Sequence, residues 1–230
     1  MFGLDHSIAS LGAGQAFAIV AIVAILLGLR HATDPDHLTA VTTLIAGDHD
    51  HDHPARRARS LGFVWGLGHA TTLFAFGLPI VLAKDYLPEA LQRGAETAVG
   101  LLIIALAVRL LVRWRRGAFR TGPGHVHPKG RTPLQAYAIG LVHGMGGSAG
   151  VGVLLLAGIP DRVEAAAALA VFAAFTALSM ALASTTFGYA LSRGPVLHRF
   201  AQLAPALGAV SLAFGIWYSL GATGAVPYLF

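Results

Sequence analysis

The 230-residue chain is 55% hydrophobic and only 12% charged, with a mean hydropathy of +0.66, which excludes an ordinary soluble globular protein and indicates a polytopic membrane protein. Its net charge of +5 and pI near 10.1 do not argue for nucleic acid, because the positive residues cluster in short segments between apolar runs. Cysteine is absent, so disulfides and thiolate ligands are excluded, and any metal site must be built from nitrogen and oxygen.

Apolar windows of about 20 residues predict an all-α membrane helical bundle of about six transmembrane helices, at 14–45, 61–83, 95–113, 133–158, 164–190 and 200–223. No basic stretch precedes the first apolar run, which therefore reads as a retained span rather than a signal peptide. That span is too long for one crossing. Pro35 cannot donate to the carbonyl of His31 and disfavours helix at Asp34, so a helix broken at this point is expected.

The segments after spans one, three and five carry eleven basic residues: Arg56, Arg57, Arg59; Arg113, Arg115, Arg116, Arg120, Lys129, Arg131; Arg193 and Arg199. The opposite side has Lys84, Arg93 and Arg162. The positive-inside rule makes the first set cytoplasmic and puts both termini outside a cytoplasmic membrane. Two of the cytoplasmic loops are rich in histidine, at His49, His51 and His53 and at His125 and His127, and read as mobile tethers able to hold metal ions loosely or as plain solvated linkers.

A short internal similarity relates Gly28-Leu29-Arg30-His31 to Gly140-Leu141-Val142-His143 and Thr71-Thr72 to Thr185-Thr186. It would superimpose spans one to three on spans four to six in opposite orientations, a 3+3 inverted repeat. The chain then reads as a single domain, 1–230, with halves 1–115 and 132–230 joined by a basic loop.

The chemistry concentrates in Arg30-His31-Ala32-Thr33-Asp34-Pro35-Asp36-His37. Ionisable groups at bilayer depth are costly and usually mark an ion or substrate route. On a helix, His31 faces Asp34, Asp34 faces His37, and Arg30 reaches Asp34. The His31 carbonyl, deprived of a donor by Pro35, is a further candidate ligand. Asp34 and Asp36 are the only carboxylates well inside a span, Glu96 and Glu164 falling at span edges, and they need a dication or Arg30 to compensate them. Outside this stretch, His69 and His143 lie well inside spans. With His37 they fall on the order of 13–15 Å from the cytoplasmic ends, so three spans bring imidazoles to one level. Six glycines between Gly140 and Gly152 allow close helix approach there. Imidazole with carboxylate suits nickel, cobalt, zinc or copper(II). Ser184, Thr185 and Thr186 reach similar depth, with hydroxyls that either add oxygens or satisfy the helix backbone.

At these residues the sequence resembles the nickel/cobalt transporter (NiCoT) family. The family signature of a histidine, four residues and aspartate-histidine is matched by His31 to His37, preceded by Arg30. The Pro35 variant, Gly66-Leu67-Gly68-His69 and Leu141 to Ala149, including Ser148, are similar to the shorter, urease-associated permease branch. The resemblance implies passage of Ni²⁺ and Co²⁺ as transported substrate, with no permanently bound cofactor, and the signature histidines and aspartates as the metal site. Uptake, which an interior-negative potential favours for a cation, is the expected direction, with efflux the alternative; a metallochaperone or a second copy of the chain stays open as a partner. A rival is an intramembrane serine hydrolase, since Gly146-Gly147-Ser148-Ala149-Gly150 matches Gly-x-Ser-x-Gly. The last span, however, holds no histidine to partner the serine.

Overall fold

A computed structural model describes residues 2–46, 54–84, 88–119, 130–146, 153 and 156–227, and every regular element among them is helical. The helices are α1 (Phe2–His31), α2 (Pro35–Ala46), α3 (Pro54–Ala83), α4 (Glu89–Arg115), α5 (Pro133–His143), α6 (Arg162–Ser192) and α7 (Gly194–Ala222). Four of them, α3, α4, α6 and α7, are long and apolar enough to cross a membrane, and the bent pair α1 and α2 makes a fifth. Their outward faces carry Ile19, Ile22 and Leu26 on α1, Leu178 and Leu182 on α6, and Val210 on α7. Such apolar surface is suited to lipid and costly in water, so the chain is a multi-pass membrane protein. The expected span 133–158 is seen as α5, which stops at His143; its continuation from 147 to 155 lies almost wholly outside the described residues.

The first span breaks where Pro35 interrupts the hydrogen-bond ladder. α1 ends at His31, and α2 departs at 50°. Between them the chain makes a tight turn in which the Thr33 N–H donates to the Arg30 carbonyl at 2.8 Å and the Asp34 N–H to the His31 carbonyl at 3.2 Å. The His31 carbonyl is therefore satisfied by Asp34, contrary to the expectation that the proline would leave it free. α5 starts at a capping box, in which Thr132 and Gln135 exchange side-chain and backbone hydrogen bonds ahead of Pro133. α6 starts where the Asp161 carboxylate accepts the N–H groups of Val163 and Glu164.

α3 is the central element, packed against both α5 and α6, while α1 lies on α6 and α4 on α7. Glycine sets the closest of these approaches. A Cβ on Gly140 would overlap the Trp65 carbonyl, one on Gly68 would overlap the Tyr137 carbonyl, and one on Gly144 would stand 2.5 Å from the His69 carbonyl. The backbones of α3 and α5 are thus in contact over the turn that carries His69 and His143. α1 is tied to α6 by the Ser179 hydroxyl, which donates to the Gly28 carbonyl at 2.8 Å.

Arg131, counted above as a loop charge, is buried. Its guanidinium donates to the carbonyl of Leu44 in the last turn of α2 at 2.8 Å, and its own carbonyl accepts from Arg57 at 3.1 Å. The cation caps carbonyls that the helix end leaves without donors and favours the negative pole of the helix. α2 is therefore fixed at both ends, by the turn at Pro35 and by Arg131.

Replacing Gly140→Leu is expected to lower stability in detergent by about 1–3 kcal/mol through overpacking, read as a fall in thermal midpoint. The Arg131→Met variant, which keeps the bulk and removes the donors, is expected to lose about 1–3 kcal/mol because the Leu44 carbonyl stays buried without its partner.

Candidate metal centre

The break in the first span delivers its ionisable residues to two different places. Arg30 and His31 occupy the last turn of α1, favoured by the negative end of that helix, and Asp36 lies in the first turn of α2, favoured by the positive end of the next. Asp34 turns outward: its carboxylate meets the Arg30 guanidinium at 3.2 Å and His31 Nδ1 at 3.5 Å. The Arg30 side chain is 71% exposed and that of Asp34 14%, so this pair forms a rim. Asp36 turns inward and is buried. One carboxylate oxygen lies 3.2 Å from His37 Nδ1, the other 3.3 Å from His143 Nε2. The expected pairing of Asp34 with His37 is replaced by this one, because the turn rotates the start of α2 away from the end of α1.

Four imidazoles surround the buried carboxylate. His31, His37, His69 and His143 are each 3% exposed or less, and come from α1, α2, α3 and α5. Ring centroids are separated by 4.3 Å for His31 and His37, 4.9 Å for His31 and His69, and 4.4 Å for His37 and His143. His31 Nε2 and His69 Nε2 are 2.9 Å apart, so one ring donates to the other. Among the described residues, His37 Nε2, His69 Nδ1 and His143 Nδ1 have no hydrogen-bond partner. Buried polar nitrogens are normally satisfied. Several orphaned at one point are what a site built to bind a cation would present.

Residues the sequence did not single out complete the surroundings. Trp65 is buried one turn before His69 on α3, with its ring 5.9 Å from His37 and perpendicular to His143 at 5.6 Å. Phe172 of α6 meets His31 edge-on at 5.8 Å. The four-residue spacing from Trp65 to His69 was the available signal. The Thr185 hydroxyl donates to the Ala181 carbonyl at 2.6 Å and so serves its own helix. Glu96, expected at a span edge, is buried two turns into α4 and accepts from Gln92 at 3.1 Å. His49, His51, His53, His125, His127 and Ser148 lie outside the described residues.

A lipid-facing helical bundle that buries imidazole and carboxylate groups from four helices offers the nitrogen and oxygen donors that a transition-metal cation takes. The family model described as "High-affinity nickel-transport protein" matches residues 17–131, half of the chain, and the chain belongs to that family. It is a transport protein and not an enzyme, which removes the serine hydrolase alternative. The urease accessory protein UreH of Bacillus sp. (strain TB-90) is 28% identical over 212 residues, covering 86% of this chain and 90% of that protein. The nickel transporter NicT of Mycobacterium tuberculosis is 40% identical over 89 residues, 38% of this chain and 23% of NicT. The cobalt transport protein NhlF of Rhodococcus rhodochrous is 32% identical over 95 residues, 39% of this chain and 25% of NhlF. No solved structure matches.

The indole of Trp65 should report an ion at this cluster. Addition of paramagnetic Co²⁺ is expected to quench part of the tryptophan fluorescence, and Trp65→Phe should abolish most of that quenching while Trp114→Phe and Trp217→Phe leave it in place. Equal quenching in all three variants would remove the cluster as the binding position.

Proposed function

We propose that the chain carries Ni²⁺, and Co²⁺ with it, into the cell across the cytoplasmic membrane, through a site formed by His31, Asp36, His37, His69 and His143, with Asp34 and Arg30 at its rim. The observation that carries this reading is the meeting of four imidazoles and one carboxylate in the interior of an apolar bundle. Two nitrogens bound about 2.1 Å from one ion and at right angles sit about 3 Å apart, close to the 2.9 Å between His31 Nε2 and His69 Nε2. NicT and NhlF, named for nickel and cobalt, support the same substrates. The positive-inside asymmetry supports basic loops facing the cytoplasm. An interior-negative potential favours inward movement of a dication by about 4.6 kcal/mol per 100 mV.

Alternating access requires two halves that rock about the site, and the helix pairings are compatible with halves 1–115 and 132–230. Exchanging α1, α3 and α4 for α5, α6 and α7 turns the pairing of α1 with α6 into that of α3 with α5, and leaves α3 with α6 and α4 with α7 as they are. Gly28 lies against Phe172, Phe175 and Thr176 as Gly140 lies against Trp65, Gly68 and His69. Each is the glycine of a Gly-Leu-x-His stretch whose histidine ends its helix. In this register Thr176 stands opposite His69, and Thr72 opposite Ser179 rather than Thr186. The second half would then retain one histidine of the site, His143, in a 3+3 inverted repeat.

The test is uptake of radioactive Ni²⁺ into vesicles holding the purified chain. His37→Ala is expected to reduce the initial rate per folded chain on the order of 100-fold or more, beyond any fall in the amount of folded protein. Wild-type uptake at low Ni²⁺ by this variant would overturn the assignment.

A further inference from the structure

Among the described residues, the donors form two sets rather than one ring. His31, His37 and His69 can each place one ligand atom within 4.8 Å of the other two, and so can Asp36, His37 and His143. His37 alone belongs to both. Its ring is 4.3 Å from His31 and 5.0 Å from His69, and 4.4 Å from His143. The rings of His69 and His143, which belong to different sets, are farther apart at 5.9 Å. The two nitrogens of His37 also differ in their surroundings. Nδ1 is engaged by Asp36 at 3.2 Å, and Nε2 has no hydrogen-bond partner.

We propose that these are two successive positions for one divalent ion, exchanged about His37, and this rests on the reading of the cluster as the transport site. The first position has three neutral imidazoles. The second has two imidazoles and the Asp36 carboxylate. Moving between them, the ion trades His31 and His69 for Asp36 and His143 while the same nitrogen of His37 stays bound and its ring pivots, so it is never stripped of all protein ligands in the apolar interior. The charges of the two positions also differ. A dication among neutral imidazoles keeps its full charge, whereas Asp36 cancels one unit, and burial of uncompensated charge is costly. Passage needs binding strong enough to admit an ion and divided enough to release it, and two overlapping three-donor positions provide that. A single site of five donors would hold the ion more tightly and release it more slowly.

The experiment uses Co²⁺ as probe on the purified full chain in detergent, with bound metal counted by elemental analysis and its ligands read from the visible absorption bands. His31→Gln with His69→Gln leaves the second set intact, and Asp36→Asn with His143→Gln leaves the first. Each double variant is expected to bind one Co²⁺ per chain, within about tenfold of the wild-type affinity, with band positions that differ between the two. His37→Gln should weaken binding by more than a hundredfold, because it is common to both sets. Ni²⁺ uptake should be lost in both double variants despite their retained Co²⁺. If either double variant loses Co²⁺ as fully as His37→Gln while wild type binds it, the two-position arrangement is overturned and the transport site stands. If wild type itself binds none, both are overturned. Should a double variant unfold, His69→Gln and His143→Gln taken singly are expected to shift the spectrum in opposite directions, and identical spectra overturn the proposal.

Discussion

The structure depends on keeping one carboxylate and four imidazoles out of water at a point where lipid surrounds the bundle. Taken singly, each group would be expensive there. Together they are tolerable because Asp36 divides its two oxygens between His37 and His143, and His31 and His69 satisfy one another. Nearly every local feature of the fold serves to bring those five side chains to one place. The Pro35 break turns α2 so that Asp36 and His37 face inward, the Arg131 cap holds the far end of the same short helix, and the glycines between α3 and α5 let His69 approach His143.

A broken helix suits this task because its two new ends carry opposite partial charges. The last turn of α1 favours the cationic Arg30 and the imidazole of His31, and the first turn of α2 favours the Asp36 carboxylate. Asp34, lying in the turn between them, is drawn to Arg30 and leaves the interior. Two aspartates separated by a single residue thus acquire different roles, one at an exposed rim and one within the cluster. The same break leaves the cluster at the junction of α1, α2, α3 and α5, where small relative movements of the helices would alter the donor set.

The helix pairings place the cluster where two packing seams meet. α3 touches both α5 and α6, so it contributes His69 and Trp65 to the centre while packing against the helix that supports α1. Glycine contacts bring backbones together at α1 with α6 and at α3 with α5. Without a Cβ at these crossings, the helices pack backbone to backbone.

Much of this was legible in the chain itself. Composition determined a helical membrane bundle, because no soluble protein affords so many apolar residues on its surface, and Pro35 determined where the first span breaks, because it removes a backbone donor whatever its surroundings. The His31 to His37 motif, with His69 and His143, singled out the side chains that meet in the interior, since ionisable groups in apolar segments need a reason to be there. Tertiary structure decided what depends on direction rather than on position along a helix: that Asp36 and not Asp34 joins the histidines, that Arg131 is an internal cap and not a loop charge, and that Trp65 faces the centre. Spacing along one helix specifies which side chains share its face. Which face meets a neighbour, and how a turn of three residues rotates one helix against the next, is set by packing among segments far apart in sequence.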